Sequence, residues 1–161
     1  MLFALFALCF VLFVAFISLP VLDGPKGHAN EAASVSMLRT LNSLQNNYAA
    51  AHPTIGFACE LARLKPAEPV KDPYFEEFLV TGERSGYNFA ITDCHADQNG
   101  VVTHYQITAV PRKPGKSGIR AFCTDESGLF WYDSAGSAAN CLASGRQLSW
   151  RYAPRIELDS C

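Results

Sequence analysis

Two short stretches of the sequence combine residue types that can do chemistry. Cys94 and His95 are adjacent, and a catalytic thiol needs a nearby base. Residues 113–117 read Lys-Pro-Gly-Lys-Ser, and the last three match the end of a phosphate-binding loop. However, neighbouring residues of a strand point to opposite faces, and the first glycine of the phosphate loop would fall at Val110. We therefore expect no catalytic centre at either stretch and predict that the protein is not an enzyme.

Acidic and aromatic side chains form two further candidate sets in the second half of the chain. The acidic set, which would offer oxygen ligands to a cation, comprises Asp93, Asp97, Asp125, Glu126 and Asp133. Acidic residues in turns usually cap backbone N–H groups or are solvated, so we predict neither a metal nor a cofactor. The aromatic set comprises Trp131, Tyr132, Trp150 and Tyr152. These residues would form a ligand platform, although roles in the core or in anchoring loops are commoner.

Five cysteines lie beyond residue 22, and their spacing argues against a zinc site because no Cys-x-x-Cys pair occurs. Well-spaced cysteines that follow an apolar segment favour disulfides in an oxidising compartment. We favour Cys123–Cys141 because it closes a short loop, and Cys59–Cys94 as the second pair, although the sequence does not fix the connectivity. Cys161 is then free, paired with another chain, or a sign of a different pairing.

An apolar segment opens the chain, and the first charged residue is Asp23. Leu, Phe, Val and Ile fill fifteen of the first 22 positions, which favours membrane insertion by roughly 5 to 9 kcal/mol. Twenty-two helical residues span about 33 Å, enough for a hydrocarbon core of about 30 Å. We therefore predict a transmembrane anchor over residues 1–22. The alternative is a cleaved signal peptide, for which Gly27 and Ala29 supply small residues, but the apolar run is long and no Lys or Arg precedes it.

Turn-forming residues follow this segment, and residues 23–29 are predicted to be a turn-rich joint. Asn30 is a suitable N-cap for an amphipathic helix that ends near Ala51, because His52 precedes a proline. The face predicted to pack on a sheet comprises Val35, Leu38, Leu41, Leu44 and Tyr48. The opposite, polar face comprises Arg39, Asn42, Gln45 and Asn46.

From Gly86 onward, the hydrophobic pattern changes from the helical period to an alternation of apolar and polar residues, which is the period of two typical of strands. After a short helix at Tyr74–Val80, strands are predicted at Tyr87–Thr92, Val101–Val110, Ile119–Thr124 and Leu129–Asp133. The chain from Ser134 is predicted to be a loop with at most a short strand at Gln147–Tyr152. The expected fold is α+β, a helix on a three- to four-stranded antiparallel sheet, with residues 30–161 as one head domain. A net charge of −2 gives no electrostatic basis for binding nucleic acid.

This order of elements resembles type IV pilins and pseudopilins. The stretch NEAASVSMLRTLNS, residues 30–43, is similar to the N-E-A-[AS]-x-V-x-S-L-R-T stretch in the helix of bacterial pilin-like proteins. Leu19-Pro20 resembles the Leu-Pro that follows the membrane part of pilin helices. Three further stretches resemble the sheet segments of that family, in the same order. They are SGYNFAI (85–91), YQITAVP (105–111) and RAFCTDESGLFWYD (120–133). The sequence departs from pilin precursors in that no basic leader precedes the apolar run and no acidic residue precedes Asp23.

The resemblance implies a non-enzymatic, membrane-anchored subunit or accessory protein that acts through protein–protein contacts in a pilus or a type II secretion-like system. Its partners would be the membrane and other pilin-like subunits or the pilus or secretion machinery. The expected location is the cytoplasmic membrane, crossed once, with the head in the periplasm or outside the cell. The alternative function is a membrane-anchored periplasmic module that binds a small ligand or glycan.

Overall fold

A long helix and a six-stranded sheet organise the protein in a computed structural model that describes residues 23–66 and 72–149. The helices are α1 (Asp23–Ala51), a short 3-10 helix (Leu61–Arg63), α2 (Pro73–Thr81) and α3 (Ala138–Ser144). The strands are β1 (Glu83–Arg84), β2 (Tyr87–Ala96), β3 (Val102–Pro111), β4 (Ala121–Asp125), β5 (Phe130–Asp133) and β6 (Arg146–Gln147).

The sheet is an antiparallel meander in which each strand pairs with its neighbour in sequence, in the order β1 to β6. The α+β class is confirmed, but the prediction of three or four strands was too low. The two additional strands, β1 and β6, form the edges and have two residues each, and β1 is too short to give a period-two signal. Strand β6 overlaps the start of the short strand allowed at Gln147–Tyr152, but the prediction of a loop from Ser134 was wrong at α3. The four central strands lie where the alternating pattern predicted them, with ends shifted by no more than four residues.

Residues 23–29 are helical, so the prediction of a turn-rich joint and of a new helix capped by Asn30 was wrong. The Asn30 side chain does not cap a helix end; it donates to the Ser117 carbonyl oxygen at 3.0 Å. Gly and Pro lower helix propensity, but tertiary contacts override that preference. Gly27 lies against the backbone of Gly118, where a Cβ would already be in van der Waals contact.

The core lies between α1 and one face of the sheet. Val35, Leu38 and Leu41 are buried, as the helical spacing predicted, while Leu44 and Tyr48 are partly buried at its margin. Their partners on the sheet include Tyr87, Phe89, Tyr105, Ile107 and Phe122. Each fully buried leucine stabilises the fold by about 1.5 to 3 kcal/mol.

Helix α2 extends the core beside β2. Asp72 caps its first turn by accepting from the Tyr74 N–H, and Gly82 ends it in the left-handed conformation. Phe78 packs edge-on against Phe89 with ring centroids 5.3 Å apart.

Within residues 23–66 and 72–149, no helix combines the length and apolar character needed to cross a bilayer. The predicted anchor at residues 1–22 lies outside the described residues.

Candidate functional site

The N-terminal half of α1 is fastened to the sheet by a buried carboxylate. Glu31 accepts hydrogen bonds through Oε1 from the backbone N–H groups of Ile119 (2.9 Å) and Arg120 (3.1 Å). Its Oε2 accepts from the Arg120 guanidinium, at 2.9 Å from Nε and 2.6 Å from Nη2. Both carboxylate oxygens are therefore satisfied by one short segment that enters β4. We call Glu31, Arg120 and the contacts around them the Glu31–Arg120 junction.

Aromatic rings and close backbone packing hold Arg120 in place. Its guanidinium lies 5.4 Å from the ring centroids of both Phe122 and Tyr132, within cation–π range. The Tyr87 hydroxyl donates to the Arg120 carbonyl oxygen at 2.9 Å. Gly118 approaches the Tyr87 ring so closely that a Cβ there would collide with it. These contacts fix the segment before β4, so the partner of Glu31 is preorganised.

The electrostatics of the junction favour the ionised carboxylate. Burial by itself would raise the pKa of Glu31, but the hydrogen bonds from Ile119 and Arg120 and the guanidinium charge outweigh it, and the pKa is lowered. Burial, followed by the nearby Glu31 charge, raises the pKa of Tyr87, so its hydroxyl stays protonated and donates. The junction thus carries a fixed ion pair throughout the neutral pH range.

Polar side chains continue this attachment along α1. Asn42 donates to the Tyr105 hydroxyl and to the Asp125 carbonyl oxygen, both at 2.9 Å. Gln45 is fully buried and pairs with both backbone groups of Ala58, at 2.7 and 2.8 Å. The sequence prediction placed Asn42 and Gln45 on the polar outer face, which was wrong. A signal was present, because Gln45 follows Leu41 by four residues and therefore shares its face.

Two disulfides complete the described framework. Cys59 joins Cys94, with Cα atoms 5.8 Å apart, and Cys123 joins Cys141, with Cα atoms 6.1 Å apart. These are the pairs favoured from the sequence. The first ties the segment after α1 to β2, and the second ties β4 to α3. They indicate an oxidising, non-cytoplasmic location, while Cys161 lies outside the described residues.

The stretches that suggested chemistry have structural roles. Cys94 is in a disulfide, so it offers no thiolate for catalysis. The Gly-Lys-Ser stretch lies in the loop between β3 and β4, where the Lys113 carbonyl oxygen accepts from the N–H groups of Lys116 and Ser117. Those two N–H groups are already used within the loop, and the strand–loop–helix context of a phosphate-binding loop is absent from this part of the structure.

The acidic residues separate into two groups. Asp97, Asp125 and Asp133 accept hydrogen bonds from backbone N–H groups of their own turns, as expected for capping residues. Asp93 and Glu126 instead contact histidines. Among residues 23–66 and 72–149, no group of three or more His, Cys, Asp or Glu side chains is arranged to hold a metal ion.

The histidine contacts lie at the end of the sheet where β2 and β4 end and β3 begins. Asp93 Oδ1 lies 2.7 Å from His95 Nε2, and Asp93 Oδ2 lies 3.4 Å from His104 Nε2. Glu126 Oε1 lies 2.8 Å from His104 Nδ1. We call these four residues the histidine clamp. The sequence prediction noted Asp93, His95 and Glu126 separately but missed His104, which the β2–β3 register brings to them.

The aromatic candidates do not form a joint platform in the described residues. Tyr132 packs inward on Arg120, whereas Trp131 lines a cavity of about 260 Å³ beside the Cys123–Cys141 disulfide. That volume is below the range of about 300 to 1,000 Å³ usual for ligand sites. Trp150 and Tyr152 lie outside the described residues.

Comparisons of the chain with protein-family models, with curated proteins and with solved structures found no match.

Proposed function

We propose that this chain is a non-enzymatic, membrane-anchored pilin-like subunit or accessory protein. It acts through protein–protein contacts in a pilus or a type II secretion-like system. The observation that carries the proposal is the Glu31–Arg120 junction, which fastens the sheet to α1. Glu31 belongs to the NEA stretch on which the resemblance to pilin-like helices rests.

The junction supports this function because it fixes the sheet to α1, so that the helix and the sheet act together. Glu31 lies near the start of the described helix, eight residues after Asp23, and its partner enters β4 in the middle of the sheet. Asn42 and Gln45 repeat the attachment further along the helix. A head held at three points along α1 takes a defined orientation relative to that helix, as a subunit that docks on neighbours requires.

The location proposed for this unit follows from the apolar segment and the disulfides. Residues 1–22 form the anchor in the cytoplasmic membrane, and the disulfide-bonded head lies in the periplasm or outside the cell. Its partners are other pilin-like subunits or the pilus or secretion machinery.

Fractionation of sheared cells with intact-mass measurement tests the proposal. Protein in the sheared filament fraction supports a filament subunit, and full-length protein released only by detergent supports a membrane-held accessory protein. A soluble periplasmic product that lacks the apolar segment would overturn the anchor and favour the cleaved signal peptide.

A matched pair of variants, compared in the same fractionation, tests the proposed membrane anchor. Leu8→Arg with Leu12→Arg places two charges within the apolar segment, at about 2.5 to 3.5 kcal/mol each against insertion. Leu8→Phe with Leu12→Phe keeps the segment apolar. Only the arginine variant should leave the detergent-released fraction, and equal behaviour of the two variants would contradict the anchor.

One observation favours the alternative of an anchored module that binds a small ligand or glycan. A groove of about 630 Å³ lies at the C-terminal end of α1, within the volume range of ligand sites. Leu44 forms part of its wall, and Tyr48 and His52 stack there with ring centroids 4.2 Å apart. A rise in the melting temperature of the full chain with added sugars, abolished by Tyr48→Ala, would favour this alternative. An unchanged melting temperature across the panel would favour the structural subunit.

A further inference from the structure

The histidine clamp rests on an irregularity of β2. Thr92 pairs with Gln106 and His95 pairs with His104. Between these two pairs β2 advances by three residues, whereas β3 advances by two. The extra residue is a β-bulge, and Asp93 within it has a φ of 53°, in the left-handed region that Asp tolerates better than most residues. Within this bulge, the Asp93 carboxylate lies beside both histidines.

The contacts of His104 favour its protonated form. Its Nδ1 lies 2.8 Å from Glu126 Oε1, and its Nε2 lies 3.4 Å from Asp93 Oδ2. A neutral imidazole carries one N–H and can donate to one of these carboxylates, whereas an imidazolium donates to both. Both ring nitrogens face carboxylates, so the geometry suits the charged ring.

The groups facing His104 come from every element packed around it. Strand β2 contributes Asp93 and His95, whose ring lies parallel to that of His104 at 5.8 Å, and the turn after β4 contributes Glu126. Asp125 and Asp97 are close in sequence to these groups but accept backbone hydrogen bonds within their own turns. No lysine or arginine of residues 23–66 and 72–149 forms an ion pair with the clamp.

We propose that the histidine clamp is a pH-sensitive fastening of this end of the sheet, with His104 as its titrating group. With His104 neutral, no positive charge from its ring lies between the carboxylates of Asp93 and Glu126. With His104 protonated, its charge lies between them. Protonation of His104 joins β2, β3 and the turn after β4, and deprotonation removes one of its two carboxylate contacts.

The direction of the effect follows from the linkage between proton binding and folding. Hydrogen bonding to Glu126, followed by the charges of Glu126 and Asp93, raises the pKa of His104 against the opposing effect of burial. A raised folded-state pKa gives stabilisation that is fully present below the unfolded value, near 6.5, and is lost as the pH rises through the folded value. The clamp therefore weakens from mildly acidic to mildly alkaline pH.

Nuclear magnetic resonance titration of the four histidines in the full chain, held in detergent, tests the proposal. We expect the apparent pKa of His104 to lie above its ordinary value of about 6.5. Glu126→Gln and Asp93→Asn should each lower it, with the larger shift from Glu126→Gln. His52→Gln is the matched control and should leave the His104 titration unchanged.

Denaturant unfolding over the same pH range provides the second readout. The unfolding equilibrium constant should rise about tenfold, between about pH 5 and pH 8, for each unit by which the folded pKa of His104 exceeds its unfolded value. His104→Gln should remove that part of the pH dependence, and His52→Gln should keep it. A His104 pKa at or below about 6.5, or parallel pH profiles of the wild-type protein and His104→Gln, would overturn the proposal.

Discussion

The Glu31–Arg120 junction and the histidine clamp are both charged clusters, and they secure opposite ends of the sheet. The junction is almost closed to water, with the Glu31 side chain 4% exposed and that of Arg120 19% exposed. The clamp is open, with His104 30% exposed and Glu126 34% exposed. Water screens charges in the clamp far more than in the junction. Ion pairs thus hold both ends of the sheet. The Glu31–Arg120 junction holds one end throughout the neutral pH range, whereas the attachment at the histidine clamp depends on pH.

The largest expected effect is loss of the buried carboxylate. Glu31→Ala should destabilise the protein by about 3 to 5 kcal/mol, because it removes the buried carboxylate that accepts from the Arg120 guanidinium and from two backbone N–H groups. Denaturant unfolding at neutral pH measures the change. Glu60→Ala, which breaks the exposed pair with Arg63, is the control and should cost far less, because water screens that pair. Equal costs for the two variants would remove the contrast between buried and exposed pairs.

The disulfides differ in the region that they secure. Replacing Cys59 and Cys94 by alanine opens a loop of 35 residues, and replacing Cys123 and Cys141 opens one of 18. Chain entropy predicts losses of about 4 and about 3 kcal/mol respectively. Hydrogen exchange should show the first change concentrated in β2 near the clamp, since Cys94 lies in the bulge beside Asp93 and His95. Equal loss of protection at β4 would show that this bridge does not act locally.

Much of the scaffold between the two clusters follows from local pattern. The spacing of Val35, Leu38 and Leu41 identifies the buried stripe of α1, because side chains three and four residues apart share a helix face. Alternation at Tyr87 and Phe89 identifies β2 in the same way. The residues around Ser137–Ser144 gave no such signal, since a helix of seven residues spans only about two turns.

The clusters themselves depend on contacts that no local pattern records. Glu31 and Arg120 are 89 residues apart, so no local spacing of residues connects them. His104 meets Asp93 because a bulge shifts the register of β2, and the sequence carries no distinct mark of that extra residue. Asn30 illustrates the same limit, because a residue typical of helix caps instead bonds to Ser117, across the fold.

A smaller effect is expected from the clamp. Glu126→Gln should cost about 1 kcal/mol or less near pH 6, because the Glu126–His104 pair is partly solvated. The cost should shrink as the pH rises, since the wild-type protein then loses the charge on His104 as well. Unfolding curves at about pH 6 and about pH 8.5 measure the difference. A cost that stays constant with pH would mean that Glu126 acts through its bond to the Tyr105 N–H rather than through His104.

The smallest effect is expected at His95, which separates the roles of the two histidines. Its side chain is 68% exposed and contacts one carboxylate oxygen, Asp93 Oδ1, whereas His104 lies between two carboxylates. His95→Gln should therefore change the free energy of unfolding by no more than about 0.5 kcal/mol and leave its pH dependence in place. The variant should also leave the apparent pKa of His104 unchanged, because the Glu126 and Asp93 carboxylates that raise it remain. A lower His104 pKa in His95→Gln would instead mean that His95 positions the Asp93 carboxylate, and the clamp would then act as a unit of four residues.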